Sequence, residues 1–398
     1  MCPALGKVPG TFTWENVMDF SLLEQMVSIP SIFPHEAQLG ELLYNELQQA
    51  GFSVARQYAA ENRFNVLAEK GSGKQALMFY GHLDTVPLYG EWDSDPYRLT
   101  ARGDQLFGLG TSDMKGGVFA ILEAAKRLEI PEGRKIKIAL CVDEENESIG
   151  AYALSADPFV QDVQLIISAE VGDARPEKPG AKTIAIGRRG RVGITISVPG
   201  ISAHGATPEL GINAIEEAAV CMQALNAMPL PSHEKFGSSN QFVQEISAKS
   251  GSLSLPDRCE LMVSRLLVPP ETPESVLKEM QQYLDSLYAA GVMTPRLGKK
   301  AEAAFAQRGT PYYPPYLTDE TLPQVQRLMQ RLTLHFGEVN VGYGLSVADE
   351  NIFGGVNHIP TVTVGPQGGN EHSANEWVSR RSLEHLVGVY LDLMRHLE

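Results

Sequence analysis

Cysteine is scarce: the 398 residues contain four, Cys2, Cys141, Cys221 and Cys259, widely separated and never in a CxxC pair. That usage argues against a disulfide framework and against a thiolate zinc site, and it suits a reducing cytoplasm. Long apolar runs are missing too. The amino-terminal stretch MCPALGKVPGTFTWENVMDF has no apolar segment of signal-peptide length, and no uninterrupted run elsewhere is long enough to span a bilayer. The expectation is a soluble, cytoplasmic protein without membrane attachment. Basic residues are outnumbered, 33 Lys and Arg against 48 Asp and Glu, and no basic run relieves the net charge of −15. Such a surface repels nucleic acid and anionic lipid, so neither is expected as a partner. There is no internal repeat and no low-complexity tract. The glycine-rich segment Gly108–Gly117 lacks the third glycine of GxGxxG, which removes the phosphate loop that a nucleotide-dependent α/β enzyme needs.

What is present is a hydrophobic content of 43%, ample for a sizeable core and consistent with two domains. Up to about residue 187, strand-like segments (FNVLAEK, ALMFYGHLD, KIKIALCVD, VQLIISAE) alternate with helix-like ones (SLLEQMVSI, EAQLGELLYNELQQAG, GVFAILEAAKRLEI). This alternation predicts an α/β domain with a mainly parallel sheet and helices on both faces. The texture changes at IGRRGRVGITISVPG, where alternating Ile and Val predict antiparallel strands. A helix NAIEEAAVCMQALNAM, a strand within SLSLPDRCELMVSRLL and a helix PESVLKEMQQYLDSLYAAG follow. Residues 188–298 are therefore expected to form a smaller inserted α+β unit, a lid or dimerisation domain. Residues 1–187 and 299–398 would together form the larger catalytic domain, completed by the helix LPQVQRLMQRLTLHFG, the strand TVTVGP and the helix RSLEHLVGVYLDLMRHLE.

Five short segments carry chemistry. GHLD closes an apolar strand, where ligands of α/β sheets gather, and Asp84 could fix the ring tautomer of a metal-binding His82. A surface hydrogen-bonded pair would look the same. Asp113 sits in GTSDMKGG ahead of a helix; it could cap that helix or place one carboxylate oxygen on each of two metals. Asp143-Glu144-Glu145 follows the strand KIKIALCV, and packing three carboxylates costs repulsion that a cation relieves, although a solvated acidic turn reads similarly. Glu170 ends the strand LIISAE, and His372 lies in GPQGGNEHSANEW. His82, Asp113, Glu145, Glu170 and His372 follow successive strands and could converge on one sheet edge. Nitrogen and carboxylate donors without thiolate suit zinc, with cobalt or manganese as alternatives.

These segments, with SAHGATPELGINAI, occur in the order and approximate spacing of the co-catalytic zinc hydrolases that include aminoacylase, carboxypeptidase G, acetylornithine deacetylase and succinyl-diaminopimelate desuccinylase, a family this chain resembles over most of its length. The resemblance implies a metal-dependent hydrolase that cleaves the amide bond of a small peptide or N-acyl amino acid by attack of a metal-bridging water. Asp113 would bridge two divalent ions, most simply Zn2+, with His82 and Glu170 completing one site and Glu145 and His372 the other. Glu144 would be the general base and acid, Asp84 the partner of His82, and His204 the oxyanion donor, which in dimeric relatives reaches the partner's site. Arg265 would hold a substrate carboxylate, with Asn240 as a further contact. The family's acidic residue before this arginine is here Ser264, and its asparagine before the upstream proline is Leu255. Arg188, Arg189 and Arg191 cluster at the expected hinge, either to bind an acidic group or to pair with surface carboxylates. A homodimer through the inserted domain is also implied. Rival readings are hydrolysis of a non-peptide C–N bond, as in a deaminase or carbamoyl hydrolase, and a non-catalytic metal-binding relative; an intact Glu144 speaks against the latter.

Overall fold

The computed structural model describes residues 18–171, 182–251 and 253–397. Residues 1–17 of the amino-terminal stretch read above for a leader, with Cys2, therefore lie outside the described residues. So does Ser252 at the head of the expected SLSLPDRCELMVSRLL strand. The larger unit is built on a nine-stranded mixed sheet. Its centre is parallel: Lys135–Cys141, Ala76–His82, Val163–Ser168 and Thr361–Thr363 lie side by side in that order. Antiparallel strands Arg63–Gly71 and Ser53–Ala60 extend one edge. Lys182–Arg188, flanked by Val339–Gly344 and Tyr316–Leu317, forms the other.

Every residue of Ala76–His82 is buried, as a central parallel strand covered on both faces requires. Alternate side chains sort to the two faces. Leu77 and Phe79 join a core with Phe119, Ile121 and Tyr390 from the helices Gly116–Lys126 and Arg380–His396, while Met78 and Tyr80 pack with Ala151, Leu154 and Phe353 on the opposite side. Helices therefore cover both faces, as the alternation of segments implied.

The smaller unit is a four-stranded antiparallel sheet in the order Asn240–Ala248, Arg258–Leu267, Gly190–Pro199, Glu302–Phe305. Val192, Ile194, Ile196 and Val198, with Leu261 and Val263, form a separate core under the helices Ala214–Asn226 and Pro273–Ala289. The switch between sheets falls between Arg188 and Gly190, at the expected change of texture. The far boundary differs: Glu302–Phe305 pairs with Gly190–Pro199, beyond the residue 298 read from sequence. This short, largely exposed edge strand has neither alternation nor β-branched residues, so no periodicity announces it. No helix among the described residues is long and apolar enough to cross a membrane.

Candidate metal centre

Three of the expected ligands come from adjacent central strands. His82 ends Ala76–His82, Glu145 follows Lys135–Cys141 and Glu170 follows Val163–Ser168. The other two arrive differently from the sequence reading. Asp113 lies in the turn Thr111–Lys115 that opens the helix Gly116–Lys126, and His372 lies between Gly368–Gly369 and Trp377–Ser379. Both flank a second four-stranded sheet, formed by these two strands with Gln105–Phe107 and Thr100–Arg102, so the five candidate ligands converge from two sheets rather than one edge.

Asp113 stands at the middle. Its Oδ1 is 3.0 Å from His82 Nε2 and its Oδ2 is 3.3 Å from His372 Nε2. His82 Nε2 is also 3.3 Å from Glu170 Oε1, and His372 Nε2 is 3.0 Å from Glu145 Oε2. Donors held at ~2.0–2.1 Å around a tetrahedral ion stand about 3.3 Å apart, so these spacings fit one divalent cation on each side of Asp113. Glu144 is part of the same group, with ligand atoms of His82, Glu144 and Glu170 within 4.8 Å of one another. A base beside the ions and a further ligand are both within reach of that position.

The electrostatics of the group favour added positive charge. Burial pushes the Glu144 carboxyl well above its ordinary range, with His82 opposing and Glu145 and Glu170 adding repulsion. Burial and the neighbouring Asp113 raise Glu170 to about 8. Bonds to Asp113 and Glu145 raise His372 to about 10. Burial disfavours charge on His82, but Asp113 and Glu170 more than offset it. Protons on the histidines here stand where cations would sit, since divalent charge neutralises the same carboxylates.

Supporting groups are well defined. His82 Nδ1 is 3.0 Å from the Asp84 carbonyl and 3.6 Å from its Oδ1. The backbone oxygen is thus the closer tautomer-fixing acceptor. The Asp84 carboxylate instead accepts from the amides of Glu144 (3.1 Å) and Glu145 (2.9 Å) and so holds the loop that carries them. Burial raises Asp84 to about 7. Glu376 was missed as a functional residue, although it lies in the same segment as His372. Its buried carboxylate accepts from the amides of Gly110 (2.7 Å), Ser112 (2.8 Å) and Asp113 (2.9 Å), and so shapes the turn that presents Asp113. Also unread were buried Asp349 and Glu350; Glu350 accepts from Arg188 Nη2 at 3.2 Å and Thr363 Oγ1 at 3.0 Å. An acidic pair ahead of the apolar IPTVTV run was the available signal.

The three candidates from the inserted unit stand apart. Among the described residues, no hydrogen bond or ion pair joins His204, Arg265 or Asn240 to the five ligands. His204 is exposed, and its Nδ1 accepts from Ala206 N at 3.1 Å, which leaves the ring proton of a neutral imidazole on Nε2. Asn240 is exposed at the start of Asn240–Ala248. Arg265 is fully buried and pairs with Glu271 and with Glu279 at 3.0 Å, leaving Nε and Nη1 without partners. Of the hinge arginines, Arg188 pairs with buried Glu350 rather than a surface carboxylate, Arg189 donates to the Phe236 carbonyl, and Arg191 donates to Ser264 and Gln244.

Residues 78–396 match the profile of peptidase family M20/M25/M40. The chain is 28% identical to a succinyl-diaminopimelate desuccinylase of Xylella fastidiosa over 391 residues, covering 96% of this chain and 98% of that protein. It is 37% identical to an acetylornithine deacetylase of Vibrio vulnificus, but over 169 residues only, 42% of either chain. The chain thus spans about half the length of the acetylornithine deacetylases it matches, here and in Proteus mirabilis, where 51% is covered. In fold it resembles a tripeptidase of Staphylococcus aureus, with TM-score 0.75 and 21% identity over 94% of this chain and 96% of that one. It likewise resembles a dinuclear metal-binding M20 peptidase of Bacillus subtilis, with TM-score 0.70 and 15% identity over 94% and 96%.

Proposed function

The chain belongs to peptidase family M20/M25/M40, and from that premise we propose that it is a hydrolase of the amide bond in a small peptide or N-acyl amino acid, working with two divalent metal ions. The carrying observation is Asp113, whose two oxygens are divided between His82 and His372 with Glu144 alongside. His82 and Glu170 would hold one ion and Glu145 and His372 the other, with Asp113 shared. When bound, such a pair polarises the scissile carbonyl and lowers the pKa of an attacking water. Zinc is the metal best suited to these donors, with cobalt or manganese the alternatives.

The chain's own residues supply the rest. Glu144, on a loop whose amides are pinned by Asp84, takes the proton of the attacking water and returns it to the departing amine. The raised affinity of Glu144 for a proton supports that role. His204, with its free Nε2–H, is the group proposed to stabilise the oxyanion; its distance in sequence and its exposed loop fit delivery by domain closure or by a second copy. The unpartnered Nε and Nη1 of Arg265 support its reading as an anchor for a substrate carboxylate, with Asn240 a neighbouring contact. A second copy is supported by the edge strand Asn240–Ala248, whose outer side has no strand partner among the described residues and where Phe242 and Ile246 are 53% and 46% exposed. Buried, unpaired Cys141, Cys221 and Cys259 support a reducing, cytoplasmic setting.

The deciding experiment measures metal content and hydrolysis for the parent and Glu144→Gln, using N-acetylornithine, N-succinyl-diaminopimelate, N-acyl amino acids, dipeptides and tripeptides. The expected outcome is about two metals per chain in both proteins, with turnover lowered by ~10²–10⁴ in the variant. A parent that binds no metal in zinc-replete buffer refutes the reading.

A further inference from the structure

The loop that carries Glu144 is held from two sides. Towards the metal centre, Asp84 accepts from the amides of Glu144 and Glu145. Inside the loop, buried Asp143 accepts from the amides of Glu147 and Ile149, both at 3.2 Å, and from Arg63 at 2.8 Å. Its far side is bonded to the segment by which the chain returns from the inserted unit. Gly309 N donates to both carboxylate oxygens of Glu147, at 2.9 and 3.0 Å. Arg308 Nη2 donates to the Glu147 carbonyl at 3.1 Å and to Tyr313 Oη at 2.8 Å, and Thr310 Oγ1 donates to the same carbonyl. Tyr313 Oη also lies 3.0 Å from Ser148 Oγ. The outgoing crossing is tied in as well, since Arg191 N donates to Tyr313 O at 2.9 Å and Tyr313 N to Arg191 O at 3.2 Å.

We propose that Glu147 is a positioning residue that couples the placement of Glu144 to the inserted unit. A displacement of the return segment must either break the four bonds at Glu147 or carry the loop with it, and Glu144 is three residues away on that loop. A Cβ at residue 309 would meet Glu147 Oε2 at 2.4 Å, so the close approach of the Glu147 carboxylate to Gly309 N uses the space that the missing side chain leaves. The inference rests on the reading of Glu144 as the base.

Two variants open the clamp from opposite ends. Glu147→Ala removes the carboxylate that accepts from Gly309 N, and Gly309→Ala pushes that flexible carboxylate away while leaving the loop's sequence intact; both leave the bonds from Arg308 and Thr310 to the residue 147 carbonyl in place. Zinc-loaded protein is measured for metal content, for amide hydrogen exchange at residues 143–150, and for kcat and KM on whichever compound of the panel above the parent cleaves fastest. The expected result in both variants is unchanged metal content, at least tenfold faster exchange in that loop, and kcat lower by ~10–100-fold with KM within about threefold. Glu147→Gln, which keeps one oxygen for Gly309 N, restores most of kcat. Parental exchange and kcat in both alanine variants overturn the proposal, as does a loss confined to KM. Retained turnover in Glu144→Gln would instead remove the base itself, an outcome separable from the exchange measurement.

Discussion

Replacing Glu376 by glutamine tests the support of Asp113, the proposed bridging aspartate, without altering Asp113 itself. The carboxylate accepts from three amides of the turn, Gly110 on one oxygen and Ser112 and Asp113 on the other. Glutamine has one acceptor oxygen, so either the Gly110 bond or the Ser112–Asp113 pair is lost, and an NH2 group is turned towards the amide left behind. Burial raises Glu376 to about 8, so each bond to it contributes ~0.5–1.5 kcal/mol when the group is neutral and ~1.5–3 kcal/mol when it is ionised, and the substitution forfeits at least one. Because the turn presents Asp113, part of that loss is felt as misplacement of the bridge, and partners of this kind typically carry ~10–100-fold in metal affinity. The expected outcome is zinc affinity ~10–100-fold weaker by chelator competition. Near-parental circular dichroism would show that the fold persists. Affinity within about twofold of the parent in a folded variant would refute this account of the turn.

Three further outcomes follow from the packing. In Gly365→Ala the new Cβ would lie 1.6 Å from the carbonyl oxygen of Glu170, a backbone atom that cannot swing aside, so metal content by elemental analysis should fall well below the parent's. Arg63 is the cation shared by buried Glu36 and Asp143; Arg63→Ala strands both and should cost ~3–5 kcal/mol in urea unfolding. Asp392 is held well below the ordinary carboxylate range because bonds to His335 and Arg331 more than offset its burial. A lowered native value means the stabilisation is present above the unfolded value, ~3.9, and is lost as pH falls below it. Urea midpoints should therefore drop more steeply below pH ~4 in the parent than in Asp392→Asn, which should already be the weaker protein at neutral pH.

Much of the fold could be read from the chain before any coordinates. The fully apolar run ALMFYGH marks a strand buried on both faces, and the helix Gly116–Lys126, buried almost all round, announces itself by the same excess. The alternation of Val192, Ile194, Ile196 and Val198 marks the one-sided sheet of the inserted unit, because period-2 burial is a local property of a strand. Less regular elements escaped. Ser53–Ala60 is an edge strand with no buried residue, Glu302–Phe305 is short and exposed, and the sheet that carries Asp113 and His372 is assembled from strands of two and three residues. None of these shows a readable hydrophobic period, even though single side chains such as Leu106 and Val378 are buried in the core, because the edge strands bury no residue and a strand of two or three residues is too short to display one.

The site divides along the same line. Residue identity pointed to the chemistry: two imidazoles, three carboxylates and a neighbouring glutamate form a donor set whose mutual repulsion a divalent cation would relieve, and strand ends are where such groups become available. Which oxygen of Asp113 meets which histidine, that Asp84 holds the amides of Glu144 and Glu145, that Glu376 shapes the turn carrying Asp113 and that Gly309 clasps Glu147 were decided only in three dimensions. The Gly309–Glu147 and Gly110–Glu376 bonds join residues 162 and 266 positions apart and leave no local trace in the chain, because such partners are chosen by how the sheets stack rather than by any pattern along one of them.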